Sequence, residues 1–316
     1  MDKIIRIGTR ESQLAVWQAT LVQQQLSQHG FASELVYIKS DGDIDLVTPL
    51  YEIGVQGVFT KTLDAALLSN RIDIAVHSMK DVPTQLAKGI VQAAVLPRAS
   101  YKDILVYKGE LSAINDQLSA SNDHPPLGDR SFTIATSSIR RRAQWLHRYP
   151  HHHIDNLRGN VNTRLRKVEE SNWNGAIFAA AGLERIGLRP ANAIELDWML
   201  PAPAQGAIMI VCNESDVFAK EACALLNDAT TALCAKMERD FLRTLLGGCS
   251  TPISALAEVK DNIVYFKGNI YSIDGREKAE TEKQTHTADI DAGTHAALEV
   301  LENGGRSIVE TIRNAK

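Results

Sequence analysis

Cysteine is scarce, four in 316 residues, and no pair is spaced as CxxC or as part of a Cys/His metal set, so neither a disulfide framework nor a zinc ribbon is indicated. Nowhere does an apolar run reach the ~18 residues that suggest a membrane helix. The N-terminus passes from Met1-Asp2-Lys3 directly into Ile4-Ile5-Arg6-Ile7 with no apolar leader, so a cytoplasmic protein is expected. Basic residues are not in excess either, with a net charge of −4, and an extended nucleic-acid footprint would need such an excess. What remains is a chain of 316 residues, 44% hydrophobic, which is enough for two or three domains with a core each.

The charge that is there is unevenly placed. Residues 130–189 hold ten of the nineteen arginines plus Lys167, against Asp155, Glu169, Glu170 and Glu184, so this segment is +7 and the rest of the chain −11. Arginine outnumbers lysine there by ten to one. A planar guanidinium fork engages carboxylate or phosphate oxygens two at a time, so the bias fits a small polyanion better than a merely solvated face.

Short apolar runs alternate with amphipathic ones at 4–8, 13–28, 34–38, 59–69 and 72–76. The rhythm returns at 132–135, 140–147, 154–157, 161–170, 176–180 and 183–186. That is the pattern of two α/β units. The distinctive polar residues fall just after strands: Thr9-Arg10-Glu11-Ser12, His77-Ser78-Met79-Lys80-Asp81, Thr136-Ser137-Ser138-Ile139-Arg140-Arg141, and Arg158-Gly159-Asn160 with Arg164 one turn on. Ligands of open α/β sheets bind at the carboxyl ends of strands, where helix N-termini offer free N–H groups, so these residues are expected to face one cleft. Ser12, Ser138 and Asn160 also read as N-caps. Pro97-Arg98-Ala99-Ser100 and Pro201-Ala202-Pro203-Ala204-Gln205-Gly206 read as two crossings between lobes, and 119–130 as a long polar loop. Beyond a helix near 230–245, strands at 253–259, 263–271 and 278–285 and a broken helical run at 292–313 predict a small antiparallel sheet covered by helices.

Cys249 stands apart from the other cysteines. It follows Gly247-Gly248 and precedes Pro252, so its sulfur is expected on a turn with little bulk around it. A thiolate there, with an ordinary pKa near ~8.5, could form a thioether with an electrophilic carbon. A small buried side chain after a turn is the plainer alternative. Cys212, Cys223 and Cys234 lie in apolar segments and read as structural.

These strings resemble the hydroxymethylbilane synthase (porphobilinogen deaminase) family: GTRES with LAVWQA at 8–19, DIAVHSMKDVP at 73–83, ATSSIRRRAQ at 135–144, LRGNVNTRL at 157–165, AAGLERIGL at 180–188, PAPAQGAI at 201–208 and LLGGCSTPI at 245–253. The resemblance implies an α/β fold with two periplasmic-binding-protein-like domains forming a cleft, 1–98 with 205–225 and 99–204, plus an α+β C-terminal domain at 226–316. It implies a dipyrromethane cofactor on Cys249, four porphobilinogen units added to it with loss of ammonia, and hydrolytic release of a linear tetrapyrrole. By the resemblance, Asp81 is the catalytic carboxylate that stabilises the cationic intermediates. Lys80, Ser12, Thr136, Ser138, Arg140, Arg141, Arg158 and Gln205 would hold the cofactor, and Arg10, Gln18, Phe59, Ser137, Arg164 and Arg185 the substrate. It implies no metal, no nucleic acid and no membrane, and a monomer.

The chain departs from the family pattern at four places. Gln56 and Thr62 replace a lysine and a glutamate of a glycine-rich loop, and Ala135 and Asn162 replace glycines. His151-His152-His153 is read as a polar surface turn, since consecutive residues of a regular element cannot all face one ion. Two other classes compete with the enzyme reading. A solute-binding protein would use the two-lobed cleft alone, and acyl transfer by Cys249 would need a histidine base beside it.

Overall fold

The computed structural model describes residues 3–39, 60–109, 131–245 and 251–314. The chain opens with β1 (Ile5–Thr9), α1 (Gln13–Gln28), β2 (Ser33–Tyr37), α2 (Lys61–Leu68), β3 (Ile74–Ser78), a single 3-10 turn (Met79–Asp81) and β4 (Ile90–Val95). It crosses into β5 (Asp103–Tyr107), β6 (Thr133–Ala135), α3 (Ile139–Arg148), β7 (His153–Asp155), α4 (Val161–Glu170), β8 (Gly175–Ala179), α5 (Ala180–Glu184) and β9 (Ala193–Glu195). A return crossing leads to β10 (Ile208–Asn213) and α6 (Val217–Ala224), and the last part comprises α7 (Ala229–Leu245), β11 (Ile253–Lys260), β12 (Ile263–Tyr271), β13 (Lys278–His286), α8 (Ala292–Val300) and α9 (Arg306–Asn314).

The first two sheets share one topology. Their orders are β2-β1-β3-β10-β4 and β7-β6-β8-β5-β9. In each, the first three strands are parallel, and the fourth place is taken by the strand that has just crossed from the other lobe, antiparallel to both neighbours. Parallel strands buried on both faces read as continuous apolar runs, as in IAVHS and GAIFA. The first sheet packs Val22 and Leu26 of α1 and Ala222 of α6 on one face, and Leu63 and Leu67 of α2 on the other. In the second, Trp145 of α3 lies under one face and Val168 of α4 and Leu183 of α5 under the other. Each buried valine or leucine among these contributes roughly 1.5–3 kcal/mol of transfer free energy.

The expected strand at 72–76 is displaced, for β3 runs from Ile74 to Ser78. The returning β10 pairs with it as far as Ser78, so a ladder from a strand some 130 residues away in sequence extends β3 through two polar residues. His77 and Ser78 therefore belong to the strand rather than to the turn after it. β4, β5 and β9 add three strands to the expected pattern.

The two crossings run side by side. Ala99 N–H donates to Gly206 O at 3.1 Å, and the Arg98 Nε–H to Gln205 O at 2.8 Å. Gly206 sits at φ +88°, and a Cβ there would lie 2.6 Å from Ala99 O, so only glycine lets the strands approach this closely. The C-terminal sheet is the antiparallel meander β11-β12-β13, with Asp261 and Asn262 at φ 51° and 62° in the two-residue turn, the signature of a type I′ hairpin. Its core joins Met237 and Phe241 of α7 to Phe266, Ile270, Ala296 and Ile308. No helix among the described residues is long and apolar enough to cross a membrane.

Candidate active site

The carboxyl ends of the parallel strands converge as their topology requires. β1 leads to Arg10 and Ser12, β3 to Lys80 and Asp81, β6 to Thr136, Ser137 and Ser138, and β7 to Arg158. Ser138 Oγ caps α3 by accepting from Arg141 N–H, and Asn160 Oδ1 caps α4 by accepting from Thr163 N–H at 2.9 Å. Ser12 stands at the N-cap position of α1, but its hydroxyl makes no cap bond. The expected cap is thus backbone only. Gln18, buried on α1, donates to Ser78 Oγ at 2.8 Å and ties the helix to the end of β3.

At the centre lies a residue the sequence did not single out, Asp103, fully buried at the start of β5. Its Oδ1 accepts from Arg141 Nε at 3.1 Å, Arg141 Nη2 at 2.7 Å and Gln205 Nε2 at 2.9 Å, and its Oδ2 from Arg140 Nη2 at 2.7 Å. Gln205 in turn accepts from Lys80 Nζ at 3.3 Å. Burial alone would raise the Asp103 pKa, but Arg140, Arg141 and Lys80 outweigh it and hold the carboxyl well below its ordinary value. Arg140 Nη1 and Arg141 Nη1 donate to Leu200 O and Ile177 O. The two arginines are thereby fixed in place, and the buried Arg140 Nε has no partner among the described residues. A signal for Asp103 was present, an acid inside the apolar run DILVY, but its partners lie 37 and 38 positions away.

Around this hub the cations outnumber the acids. The charge of Lys80 feels Asp81, Asp103, Arg140 and Arg141, and burial pushes its pKa down to about 8. Arg164 is lowered to about 10, by burial and then by Arg141, partly offset by Asp81, with Arg158 lowering it further. Five cations therefore share one environment with two carboxylates, of which Asp81 is exposed to the cleft. Partly buried cations in such excess are costly without anions, so the arrangement is built to receive them. Arg164 Nε is held by Gly159 O at 2.7 Å and Ser137 Oγ accepts from Leu157 N–H at 2.9 Å, so backbone contacts fix both side chains.

Other predicted residues sit at the margins of this group. Arg185 donates to Gly206 O at 2.6 Å and lies 5.8 Å from the Trp17 ring centroid, with its pKa lowered to about 10 by burial. Arg10 acts on the buried His77, which burial and this cation lower to about 4, leaving the imidazole neutral at pH 7. Thr136 Oγ1 accepts from Ser138 N–H at 3.2 Å. Asn162 Nδ2 donates to Gln13 Oε1 at 3.0 Å, linking α4 of one lobe to α1 of the other. Phe59, Gln56 and Cys249 lie outside the described residues, as does the loop at 119–130. Thr62, in α2, buries its hydroxyl without a partner among the described residues.

The C-terminal domain reaches the site through α7. Glu238, fully buried, binds Arg98 at 2.6 and 2.9 Å and accepts from Ala204 N–H at 2.6 Å and Ala257 N–H at 2.7 Å, so one carboxylate joins both crossings to β11. Burial would lower the Arg98 pKa, but Glu238 prevails and raises it.

The three described cysteines are buried, and desolvation raises Cys212, Cys223 and Cys234 to about 11, 12 and 11. None is a ready thiolate. The histidine run departs from its expected surface turn. His152 is buried, stacked on Tyr149 at 5.1 Å and accepting from Trp145 Nε1 at 3.2 Å, because the backbone after α3 turns that one ring into the aromatic core. No cluster of His, Cys, Asp or Glu that could hold a metal occurs among the described residues.

Comparison with known proteins agrees with this geometry. Residues 5–221 match the family model for the porphobilinogen deaminase dipyromethane cofactor binding domain, and 232–302 that for the porphobilinogen deaminase C-terminal domain. The porphobilinogen deaminase of Syntrophotalea carbinolica is 44% identical over 86% of this chain and 84% of its own. That of Acidithiobacillus ferrooxidans is 37% identical over the whole of both, and that of Pelobacter propionicus 39% over 98% and 97%. Among solved structures, a probable amino-acid ABC transporter extracellular-binding protein from Bacillus subtilis covers 72% of this chain and 90% of its own at 10% identity and a TM-score of 0.40. That likeness is too slight to carry weight, and the fold rests on the strand orders above. The chain belongs to the porphobilinogen deaminase family.

Proposed function

We propose that the cation-lined cleft is where this chain, a porphobilinogen deaminase, assembles hydroxymethylbilane from four porphobilinogen units. The observation that carries the site assignment is the convergence of Lys80, Arg140, Arg141, Arg158 and Arg164 beside the exposed Asp81. Porphobilinogen bears an acetate and a propionate, so every unit added brings two carboxylates, and the cleft holds the matching excess of cations. The donor set fits a dipyrromethane for the same reason, and the buried Arg140 Nε, without a partner among the described residues, is one donor such a carboxylate would satisfy. In this reading Lys80, Arg140, Arg141 and Arg158, with Ser12, Thr136, Ser138 and Gln205, hold the cofactor, and Arg10, Gln18, Phe59, Ser137, Arg164 and Arg185 the incoming substrate. The dipyrromethane, bound through Cys249, supplies the free α-carbon to which units are added.

The protein's own part is charge placement. Loss of ammonia from porphobilinogen leaves an azafulvenium cation, and the Asp81 carboxylate lowers the energy of positive charge developing on the pyrrole nitrogens. The surrounding cations neutralise substrate carboxylates and thereby leave Asp81 as the anion available to the ring system. Each charge-assisted hydrogen bond contributes roughly 1.5–3 kcal/mol, so a few suffice per unit. We extend the reading to a monomeric, cytoplasmic enzyme with no nucleic-acid or membrane partner, with domains at 1–98 plus 205–225, 99–204 and 226–316.

Intact-mass measurement tests the cofactor assignment. The purified protein should exceed its sequence mass by two linked pyrrole units, and denaturation and reduction should not remove them, since a thioether survives both. Cys249→Ala should abolish the extra mass and nearly all turnover. A bare mass for the unmodified protein even after incubation with porphobilinogen would refute the assignment.

A further inference from the structure

The turn that carries Asp81 is held from outside its own domain. Arg239, on α7 of the C-terminal domain and 9% exposed, donates through Nη1 to Met79 O at 3.3 Å and Val82 O at 2.9 Å, and through Nη2 to Pro83 O at 2.6 Å. These three carbonyls bracket Asp81. Val82 N–H to Met79 O, at 3.1 Å, closes the 3-10 ring, and Met79 N–H donates to Ala207 O at 3.0 Å. Met79 and Val82 bury their side chains in the core, and beside them an open cavity of about 390 Å³ is lined by Met79, Thr84, Leu86, Arg239 and Asp240 among others. On that side the guanidinium holds the backbone carbonyls. Arg239 follows Glu238, the carboxylate that locks α7 to both crossings, so the donor is itself anchored.

We propose that Arg239 is a positioning residue for Asp81: it fixes the 79–83 backbone against α7, and so sets where the Asp81 carboxylate stands in the cleft. The inference rests on the reading of Asp81 given above. A planar fork reaches carbonyls on both sides of Asp81 at once, which an ammonium cannot do from one point. A carboxylate displaced by a fraction of an ångström loses much of its hold on developing charge while substrate carboxylates remain bound elsewhere.

The test is a double-mutant cycle in cofactor-loaded enzyme, with hydrogen exchange as a second readout. Arg239→Gln should lower kcat about tenfold or more with KM changed less than about twofold, and Arg239→Lys should recover part of the loss. In an Asp81→Asn background the same Arg239→Gln change should cost less than about twofold, because an effect transmitted through the carboxylate vanishes with it. Amide exchange across residues 78–86 should quicken in Arg239→Gln while that of α7 is unchanged, in loaded protein and in a Cys249→Ala background alike. Equal losses with and without Asp81, or unchanged exchange at 78–86, would overturn the proposal. Near-normal turnover of Asp81→Asn alone would instead remove the reading of Asp81 on which it rests. Should Arg239→Gln not fold, Arg239→Lys carries the same cycle.

Discussion

Replacing Asp103 by Asn should destabilise the protein far more without its cofactor than with it. Oδ1 accepts three hydrogen bonds and Oδ2 one, so an amide keeps its oxygen toward Arg141 and Gln205 and turns its NH2 against Arg140 Nη2. One charge-assisted bond is lost, roughly 1.5–3 kcal/mol. Removing one partner of a buried ion pair costs about 3–5 kcal/mol in total, because the remaining charges are left uncompensated. Converted at about 2–4 °C per kcal/mol for a chain of this order, the melting temperature of unloaded protein, prepared as Cys249→Ala, should fall by about 10 °C. In loaded protein, carboxylates of the bound pyrroles stand near the same cations, and the fall should be about half as large. Circular dichroism melts of the four proteins at low salt supply the comparison. A fall under about 2 °C in the unloaded protein, or equal falls in both, would show that Asp103 does not balance the charge of the cleft.

Arg164→Gln should slow particular elongation steps, with turnover down about 10- to 100-fold, and mass spectrometry should find enzyme bearing one to three extra pyrrole units; only empty and finished states would argue against a shared cleft. His152, lowered to about 4 by burial and then by His151 and His153, stays neutral in the fold where the unfolded chain takes up a proton near pH 6.5. Its contribution is intact above that pH and is lost as pH falls from about 6.5 toward 4, at a cost of about 3 kcal/mol. His152→Phe should lower stability at pH 7 by orphaning the Trp145 indole, yet flatten the decline measured by urea unfolding between pH 7 and 4.5.

Local signals gave α1, α4, the meander β11-β12-β13 and the caps Ser138 and Asn160 directly, since periodicity and turn chemistry act over a few residues. The positions of Lys80, Arg140, Arg141 and Arg158 at strand ends followed from the same patterns. What escaped depends on contacts distant in sequence: the extension of β3 by β10, Asp103 under two arginines, Glu238 across the crossings and Arg239 beneath the Asp81 turn. A buried acid in a strand or a helix carries no local mark of which cation it will meet. The burial of His152 was hidden because its neighbours in sequence, His151 and His153, are exposed.

The shared strand order has a consequence for how the protein is made. The first sheet is not complete until the chain has built the second lobe and returned, because β10 fills the place between β3 and β4, whereas β5 to β9 of the second sheet follow one another in the chain. On a ribosome the first lobe must therefore wait, with β3 and β4 unpaired along facing edges, until residue 213 has emerged. Open edges of this kind invite pairing with other chains. A fragment ending after β4 would keep α1, β1 and β3 but have a slot one strand wide in its sheet, so the first lobe is a unit of shape without being a unit of assembly.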